Sequence, residues 1–363
     1  MIPYGRQNIS QDDIKEVSEA LTKPLITQGP TIEEFEKQLS LYFGAKFAVA
    51  FNSGTSALYC TYRALGLKED DEFITSPITF TATASAGVLL GAKPVFCDIE
   101  IDSGLMDVGA LKRAISLRTK MVVPVHYAGH PCNMEEIYKI AKDRGLYIVE
   151  DACHAPGAKY NSYKIGSCAH SDAAVFSFHP VKHFTTGEGG AVLTNSEELY
   201  EKLIRLRSHG IKRGQDWEYE VLEPSFNFRI TDFQCALGLS QLKRLDEFIK
   251  ERREIATRYA QILTPKVYLP PEREWAYHVY HLYPIRLKDP TKRREVFRKL
   301  RSEGFGVQVH YIPVYHHPFM QKIGYQVCKN AEDFYSRVIS LPIFPSLTKE
   351  IQESVAKKLE ESL

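Results

Sequence analysis

The sequence predicts an α/β protein built on a mostly parallel sheet, followed by a smaller C-terminal part of different organisation. Short apolar runs of strand length alternate with runs of helix length from Phe47 to Asn195, the order that makes parallel strands joined by helices. The residues with chemical capacity fall at the ends of those apolar runs, where loops at the carboxyl edge of such a sheet place chemistry. From Lys266 onward the pattern changes to short strands and helices. The boundary is expected near Lys250, giving parts 1–250 and 251–363 of a 363-residue chain, in line with domains of roughly 100–200 residues.

Ser10 is a plausible cap for a short helix over Asp12 to Leu21, and Leu25-Ile26-Thr27-Gln28-Gly29-Pro30 reads as a loop. Ile32, Phe35, Leu39 and Phe43 recur at close to helical spacing, so Thr31 to Phe43 reads as a helix that Gly44 ends. Phe47 to Phe51 is an apolar strand. Asn52-Ser53-Gly54-Thr55-Ser56 follows it and leads into a helix over Ala57 to Leu65. A strand, a glycine turn and a helix leave free N–H groups at a positive helix end, which suits an anion. Alone, such a turn is often mere punctuation, and this one lacks the lysine and spacing of a Walker loop. The strand Glu72 to Ser76 ends in Pro77-Ile78-Thr79-Phe80, which opens a helix through Gly87. Phe80 can stack on a planar ring or pack in a core.

Strands follow at Lys93 to Asp98 and Met121 to Val125, then a helix over Met134 to Arg144. Leu146 to Glu150 is a buried strand that delivers Asp151, an acid able to cap the next turn or to pair with a protonated ring nitrogen. Ala173 to Phe178 and Ala191 to Thr194 are strands flanking a turn with Lys182 and Gly187-Glu188-Gly189-Gly190. A desolvated lysine amine can attack a carbonyl, whereas an arbitrary loop lysine is a solvated charge. Beyond Asn195, Glu197 to Ser208 is an amphipathic helix and His209 to Pro224 reads as a mobile polar loop. Helices over Asp232 to Leu242 and Leu245 to Leu263 come next. A strand over His281 to Leu287, a helix over Arg293 to Glu303, a strand over Gly306 to His310 and terminal helices complete the chain.

Composition excludes several classes. The net charge of +1 gives no footprint for nucleic acid. No apolar run approaches the roughly 20 residues that span a bilayer, and Met1 to Glu16 has no signal core. Seven scattered cysteines without a CxxC pair point to reduced thiols and a cytoplasmic setting. No HExxH occurs among the twelve histidines, so no metal is expected. What remains is a conjunction. A cradle at Gly54 and Thr55, a flat group at Phe80, an acid at Asp151 and a lysine at Lys182 are the parts that pyridoxal phosphate (PLP) requires.

With those residues in view, the chain resembles the DegT/StrS family of nucleotide-sugar aminotransferases over nearly its whole length. The motifs are Asn52-Ser53-Gly54-Thr55-Ser56-Ala57, Glu150-Asp151-Ala152-Cys153-His154-Ala155, Phe176-Ser177-Phe178-His179-Pro180-Val181-Lys182, Gly187-Glu188-Gly189-Gly190 and Phe226-Asn227-Phe228-Arg229. The resemblance implies the PLP-dependent transferase fold type I, aspartate aminotransferase-like, with a seven-stranded, mostly parallel sheet in the large domain and a smaller C-terminal α+β domain. Ile2-Pro3-Tyr4-Gly5-Arg6-Gln7, His209-Gly210-Ile211, His281-Leu282-Tyr283 and Val309-His310-Tyr311-Ile312-Pro313 carry a closer likeness. It is to the transaminases that form UDP-4-amino-4,6-dideoxy-N-acetyl-β-L-altrosamine for pseudaminic acid.

By that resemblance Lys182 is the lysine that binds the cofactor, Asp151 keeps the pyridine nitrogen protonated, Phe80 stacks on the ring and His154 sits by its phenolic edge. Gly54, Thr55 and Ser177 would hold the phosphate. Asn227 would reach the phosphate of the cofactor in a partner subunit, which implies a homodimer with shared sites. Tyr4, Leu25, Ile26, Thr27, His310, Tyr311, Ile312 and Pro313 match stretches that line the sugar site, with Gly54, Ser177, Asn227 and Arg229 adjoining it. Lys212, Arg213 and Arg229 are candidate cations for a diphosphate, against the plainer reading of surface charge. The implied substrates are L-glutamate and a UDP-4-keto-6-deoxy-N-acetylhexosamine, with no nucleic-acid or membrane partner. Perosamine-type and 3-keto-sugar aminotransferases are the competing activities. Dehydratase relatives carry histidine in place of the lysine present here, and a non-catalytic protein on this fold would be expected to lose Lys182 or Asp151. A nicotinamide oxidoreductase would need a GxGxxG turn that the chain lacks.

Overall fold

Successive residues along the central strands are buried on opposite faces, and that pattern sets the architecture. Ala48, Ala50, Ile74, Val122, Ile148, Ala174 and Phe176 pack into one apolar cluster. Val49, Phe51, Phe73, Met121, Val123, Val149 and Val175 pack into another. Strands buried on both faces belong in a parallel sheet covered by helices. The computed structural model describes every residue except Thr264 and contains that sheet. Its seven strands lie in the order Phe47–Phe51, Gly190–Thr194, Ala173–Ser177, Tyr147–Asp151, Thr119–Val123, Glu72–Thr75 and Lys93–Phe96. All run the same way except Gly190–Thr194, which is antiparallel to both its neighbours.

The exception has a simple cause. A parallel return needs a crossover of a dozen or more residues, usually with a helix. The segment between Ser177 and Gly190 has none and turns straight back. Lys182 is therefore carried on a hairpin connection in the middle of the sheet, at its carboxyl edge.

The C-terminal part holds a second core. Tyr283–Arg286 pairs antiparallel with Val338–Leu341. Helices Arg293–Ser302 and Lys349–Glu360 pack around them through Val296, Leu300, Val355 and Leu359. The helix Leu245–Leu263 joins the two cores: Leu245 and Ile249 belong to the first, and Ile255, Tyr259 and Leu263 to the second. A division near Lys250 thus cuts one continuous helix. The cores also interleave in sequence, because Ile2–Pro3 pairs with Phe305–Gly306 while Tyr315 and Phe334 return to the large core.

Several local expectations are corrected. His209–Pro224 is not a plain loop: Ile211–Arg213 and Tyr219–Val221 form an antiparallel hairpin. Both its strands are largely exposed, so no apolar alternation announces them. The helix expected from Pro77 begins only at Ala82. The strand expected over Gly306 to His310 is reduced to Phe305–Gly306, beyond which the chain leaves the ladder. Val338–Leu341, expected in a helical region, is a fully buried strand, and Val108–Ala114 is a short helix capped by Asp107. Among the described residues, no helix is long and apolar enough to cross a membrane.

Phe176 reports on the first core. Its ring is fully buried and stacks on Phe43 with centroids 4.4 Å apart. Phe176→Ala is expected to cost about 3–5 kcal/mol, read as a lowered urea midpoint.

Candidate active site

Four strand ends converge at the carboxyl edge. After Phe51 the chain turns through Asn52 and Ser53 into the helix Gly54–Ala64. Ser53 Oγ accepts from Ser56 N at 3.1 Å, and Asn52 Oδ1 accepts from Ser56 Oγ at 2.6 Å. The first-turn N–H groups of Gly54 and Thr55 have no carbonyl within the helix to bond. Glycine permits the close approach beneath them: a Cβ at Gly190 would lie 2.5 Å from Gly54 N, and one at Gly54 would lie 3.0 Å from Ser177 Cβ. The helix N-terminus thereby rests against Ser177, the last residue of its strand.

Asp151 ends the strand Tyr147–Asp151 and is 6% exposed. Its Oδ2 accepts from Thr83 Oγ1 at 2.6 Å and its Oδ1 from Cys153 N at 3.2 Å. Among the described residues no ion pair neutralises it. A buried carboxylate of this kind favours a positive group beside it. Lys182 is partly covered, and its ammonium has no hydrogen-bond or ion-pair partner among the described residues. Burial pushes its pKa below the ordinary 10.5, against the opposing pull of Cys153 and Asp151.

These residues share one cavity of about 510 Å³, lined by Tyr4, Gly54, Thr55, Phe80, Asp151, His154, Ser177, Lys182, His310 and Tyr311. Phe80 is 58% exposed there. His154 Nε2 lies 3.1 Å from Tyr311 Oη, and its buried Nδ1 has no partner among the described residues. His281 packs on His154 with ring centroids 4.4 Å apart, and His183 lies 5.5 Å from His281. Burial holds all three imidazoles well below the usual 6.5, reinforced by the Lys182 charge. Burial likewise pushes His310 down to about 3. Its Nδ1 lies 2.9 Å from Ser340 Oγ, and its ring is 5.0 Å from that of Tyr4.

The cavity does not gather every candidate. Leu25, Ile26, Thr27, Asn227, Arg229, Ile312 and Pro313 lie outside it. Leu25, Ile26 and Asn227 are exposed. Thr27 is bridged to Thr231, and Ile26 O accepts from Asp232 N at 3.0 Å, so the loop and the Asn227–Thr231 stretch form one rim. Lys212, Arg213 and Arg229 line a separate pocket of about 640 Å³ with Arg205, Arg207, Glu33 and Glu36. The sequence reading missed Thr79, Thr83 and Cys153, which also line the cavity. Thr79 and Thr83 stand four residues apart, the one signal that they share a side. No cluster of His, Cys, Asp and Glu suited to a metal occurs among the described residues.

The arrangement fits pyridoxal phosphate. It offers a helix N-terminus opened by glycines for a phosphate, an un-neutralised buried carboxylate for a protonated ring nitrogen, an amine depressed by burial, and a buried imidazole nitrogen without a partner.

Residues 7–360 match the DegT/DnrJ/EryC1/StrS aminotransferase family. The UDP-4-amino-4,6-dideoxy-N-acetyl-β-L-altrosamine transaminase of Campylobacter jejuni serotype O:2 is 40% identical over 351 residues, covering 94% of this chain and 92% of that protein. Helicobacter pylori PseC, an aminotransferase of pseudaminic acid biosynthesis, superposes with a TM-score of 0.96 at 37% identity, over 99% of this chain and 98% of that one. Spr1654 of Streptococcus pneumoniae, solved in its PLP form, gives a TM-score of 0.94 at 30% identity over 100% and 99% of the two chains.

The buried histidines make stability depend on pH. The unfolded chain protonates a histidine near 6.5, whereas folded His310 stays neutral down to about 3. Between those values the unfolded state binds more protons, so stability is full above about 6.5 and is lost as pH falls. Each such group contributes up to about 1.4 kcal/mol per pH unit. His310→Gln removes one of them, and its urea-derived stability is expected to fall less steeply than wild type between pH 6 and pH 4.

Proposed function

This chain belongs to the DegT/DnrJ/EryC1/StrS aminotransferase family, and on that premise we propose that it moves the amino group of L-glutamate onto C4 of a UDP-4-keto-6-deoxy-N-acetylhexosamine of the L-arabino configuration. The products are 2-oxoglutarate and UDP-4-amino-4,6-dideoxy-N-acetyl-β-L-altrosamine, an intermediate of pseudaminic acid biosynthesis. The setting is a cytoplasmic homodimer. The observation that carries the reading is one cavity holding Lys182, Asp151 and the Gly54 helix end, in a chain 40% identical to a transaminase of that name.

Bound pyridoxal phosphate supplies the electron sink for the carbanion that proton removal leaves. The residues supply the rest. The Lys182 amine, kept more readily neutral by burial, takes the proton from the α-carbon of glutamate. In the second half it delivers a proton to C4 of the sugar. The Asp151 carboxylate holds the proton on the ring nitrogen. The Gly54 and Thr55 N–H groups and the Ser177 hydroxyl would hold the phosphate dianion at the positive helix end, and Phe80 would offer its ring face to the cofactor. His154, neutral in its buried place, would hydrogen-bond the phenolic oxygen without adding charge. Tyr4, His310 and Tyr311 form the wall that meets the sugar. Leu25 to Thr27, Asn227 and Arg229 lie outside this chain's own cavity, and we assign them, with Lys212 and Arg213 as cations for the diphosphate, to the site completed by a partner subunit. Ile312 and Pro313 follow the wall residues and shape their approach.

The test is spectroscopic. L-glutamate should bleach the visible band of the loaded enzyme and release 2-oxoglutarate, and the L-arabino 4-keto sugar should restore the band. Restoration by a different keto sugar instead would replace the substrate assignment; no response to glutamate would remove the activity. Lys182→Ala should lose on the order of 10²–10⁴-fold in kcat with its melting temperature little changed. Asp151→Asn should keep measurable cofactor but lose most of kcat.

A further inference from the structure

The Asp151 carboxylate is buried in the cavity wall at 6% exposure, and nothing in the activity above explains what aims it. A backbone N–H and a hydroxyl reach it. Cys153 N meets Oδ1 at 3.2 Å, and Thr83 Oγ1 meets Oδ2 at 2.6 Å. Thr83 is itself buried, and its Oγ1 lies 3.0 Å from Thr79 Oγ1. A hydroxyl has one proton, and an ionised carboxylate offers only acceptors. The Thr83 proton therefore goes to Asp151 rather than to Phe80 O, the more distant alternative at 3.3 Å. Thr79 in turn donates to Thr83. The result is an ordered relay, Thr79 to Thr83 to Asp151, inside the cavity that all three residues line.

We propose that Thr83, supported by Thr79, is the positioning residue for Asp151. It fixes the plane of the carboxylate and occupies one lone pair of Oδ2, leaving the remaining acceptor capacity for the ring nitrogen. The inference rests on the cofactor role proposed for Asp151. Sequence position adds to it. Thr79, Phe80 and Thr83 sit on one short stretch entering the helix Ala82–Val88. The segment that lays a flat side chain along the cavity thus also holds the acid, so ring face and ring nitrogen are referenced to the same piece of backbone. Charge-assisted hydrogen bonds of this length are the strong ones, and a misaimed catalytic group costs rate rather than affinity for the distant end of the substrate.

Thr83→Val keeps the shape and removes the hydroxyl, while Thr83→Ser keeps the hydroxyl and removes the methyl. The positioning role predicts that Thr83→Val loses on the order of 10–100-fold in kcat with the sugar KM unchanged. It also predicts that the apo form of Thr83→Val binds pyridoxal phosphate several-fold more weakly in equilibrium dialysis, and that Thr83→Ser restores both. Thr79→Val should show the same pattern more weakly. A packing role predicts the reverse, with Thr83→Val near wild type and Thr83→Ser impaired. That outcome, or a Thr83→Val enzyme with unchanged kcat and unchanged cofactor affinity, overturns the proposal. The wild-type response to glutamate is read in parallel: its absence would count against the aminotransferase reading, whereas a normal wild type beside an unaffected Thr83→Val counts against the relay alone.

Discussion

A single buried carboxylate with no cation of its own is the constraint on which the site depends. Asp151 is almost fully enclosed and accepts from the Thr83 hydroxyl and the Cys153 backbone N–H. Neutral donors orient a charge but do not cancel it. The surrounding groups are arranged to leave that charge available. Lys182 is desolvated and has no hydrogen-bond or ion-pair partner among the described residues, and the imidazoles of His154, His183, His281 and His310 are all held neutral by burial. Charged, any of them would compete for the carboxylate or repel Lys182. Neutral, they wall the cavity with polarity and leave the Asp151 charge available for the ring nitrogen proposed to meet it.

The helix end proposed for the phosphate obeys a different constraint, that of space. Anion binding at a helix N-terminus needs N–H groups facing the ligand and little bulk around them. The reversed strand beginning at Gly190 passes directly beneath the Gly54 turn, where a methyl group would collide with backbone atoms. Backbone can shift less cheaply than a side-chain tip. The hairpin that brings Lys182 to the cavity and the Gly54 turn are therefore one piece of packing: the same short connection delivers the lysine and returns the strand under the turn.

Much of this was legible in the sequence because it follows strong local signals. The strands around Asp151 and Lys182 are apolar on both faces, and the glycine turn at Gly54, between a strand and a helix, reads as an anion site. Ser10 pairs reciprocally with Asp13 in a capping box. What was not legible depends on long-range partners. The Ile211–Arg213 hairpin is exposed on both faces, so no periodicity marks it. Thr83 is a small polar residue in an alanine-rich helix, and only the fold brings Asp151, 68 positions away, to its hydroxyl. His281 was legible as part of a motif, but not as the ring that backs His154.

The cavity is also not the property of one core. His310 and Tyr311 come from the C-terminal part. They are held by Ser340 on the buried strand Val338–Leu341 and by Tyr127, whose hydroxyl donates to His310 O at 2.5 Å. The segment carrying His281 is tied from the other side. Arg252, fully buried near the middle of the helix that joins the cores, donates to the carbonyls of Tyr280, His281 and Ile343 at 3.0–3.3 Å. Burial lowers its pKa only to about 10, so it stays charged at neutral pH. A buried guanidinium that satisfies three carbonyls is costly to remove, because the oxygens would be left without donors. The helix therefore does more than connect. It locks the backbone behind His154 to the second core, so the cavity walls contributed by the two cores keep their register only while both are intact.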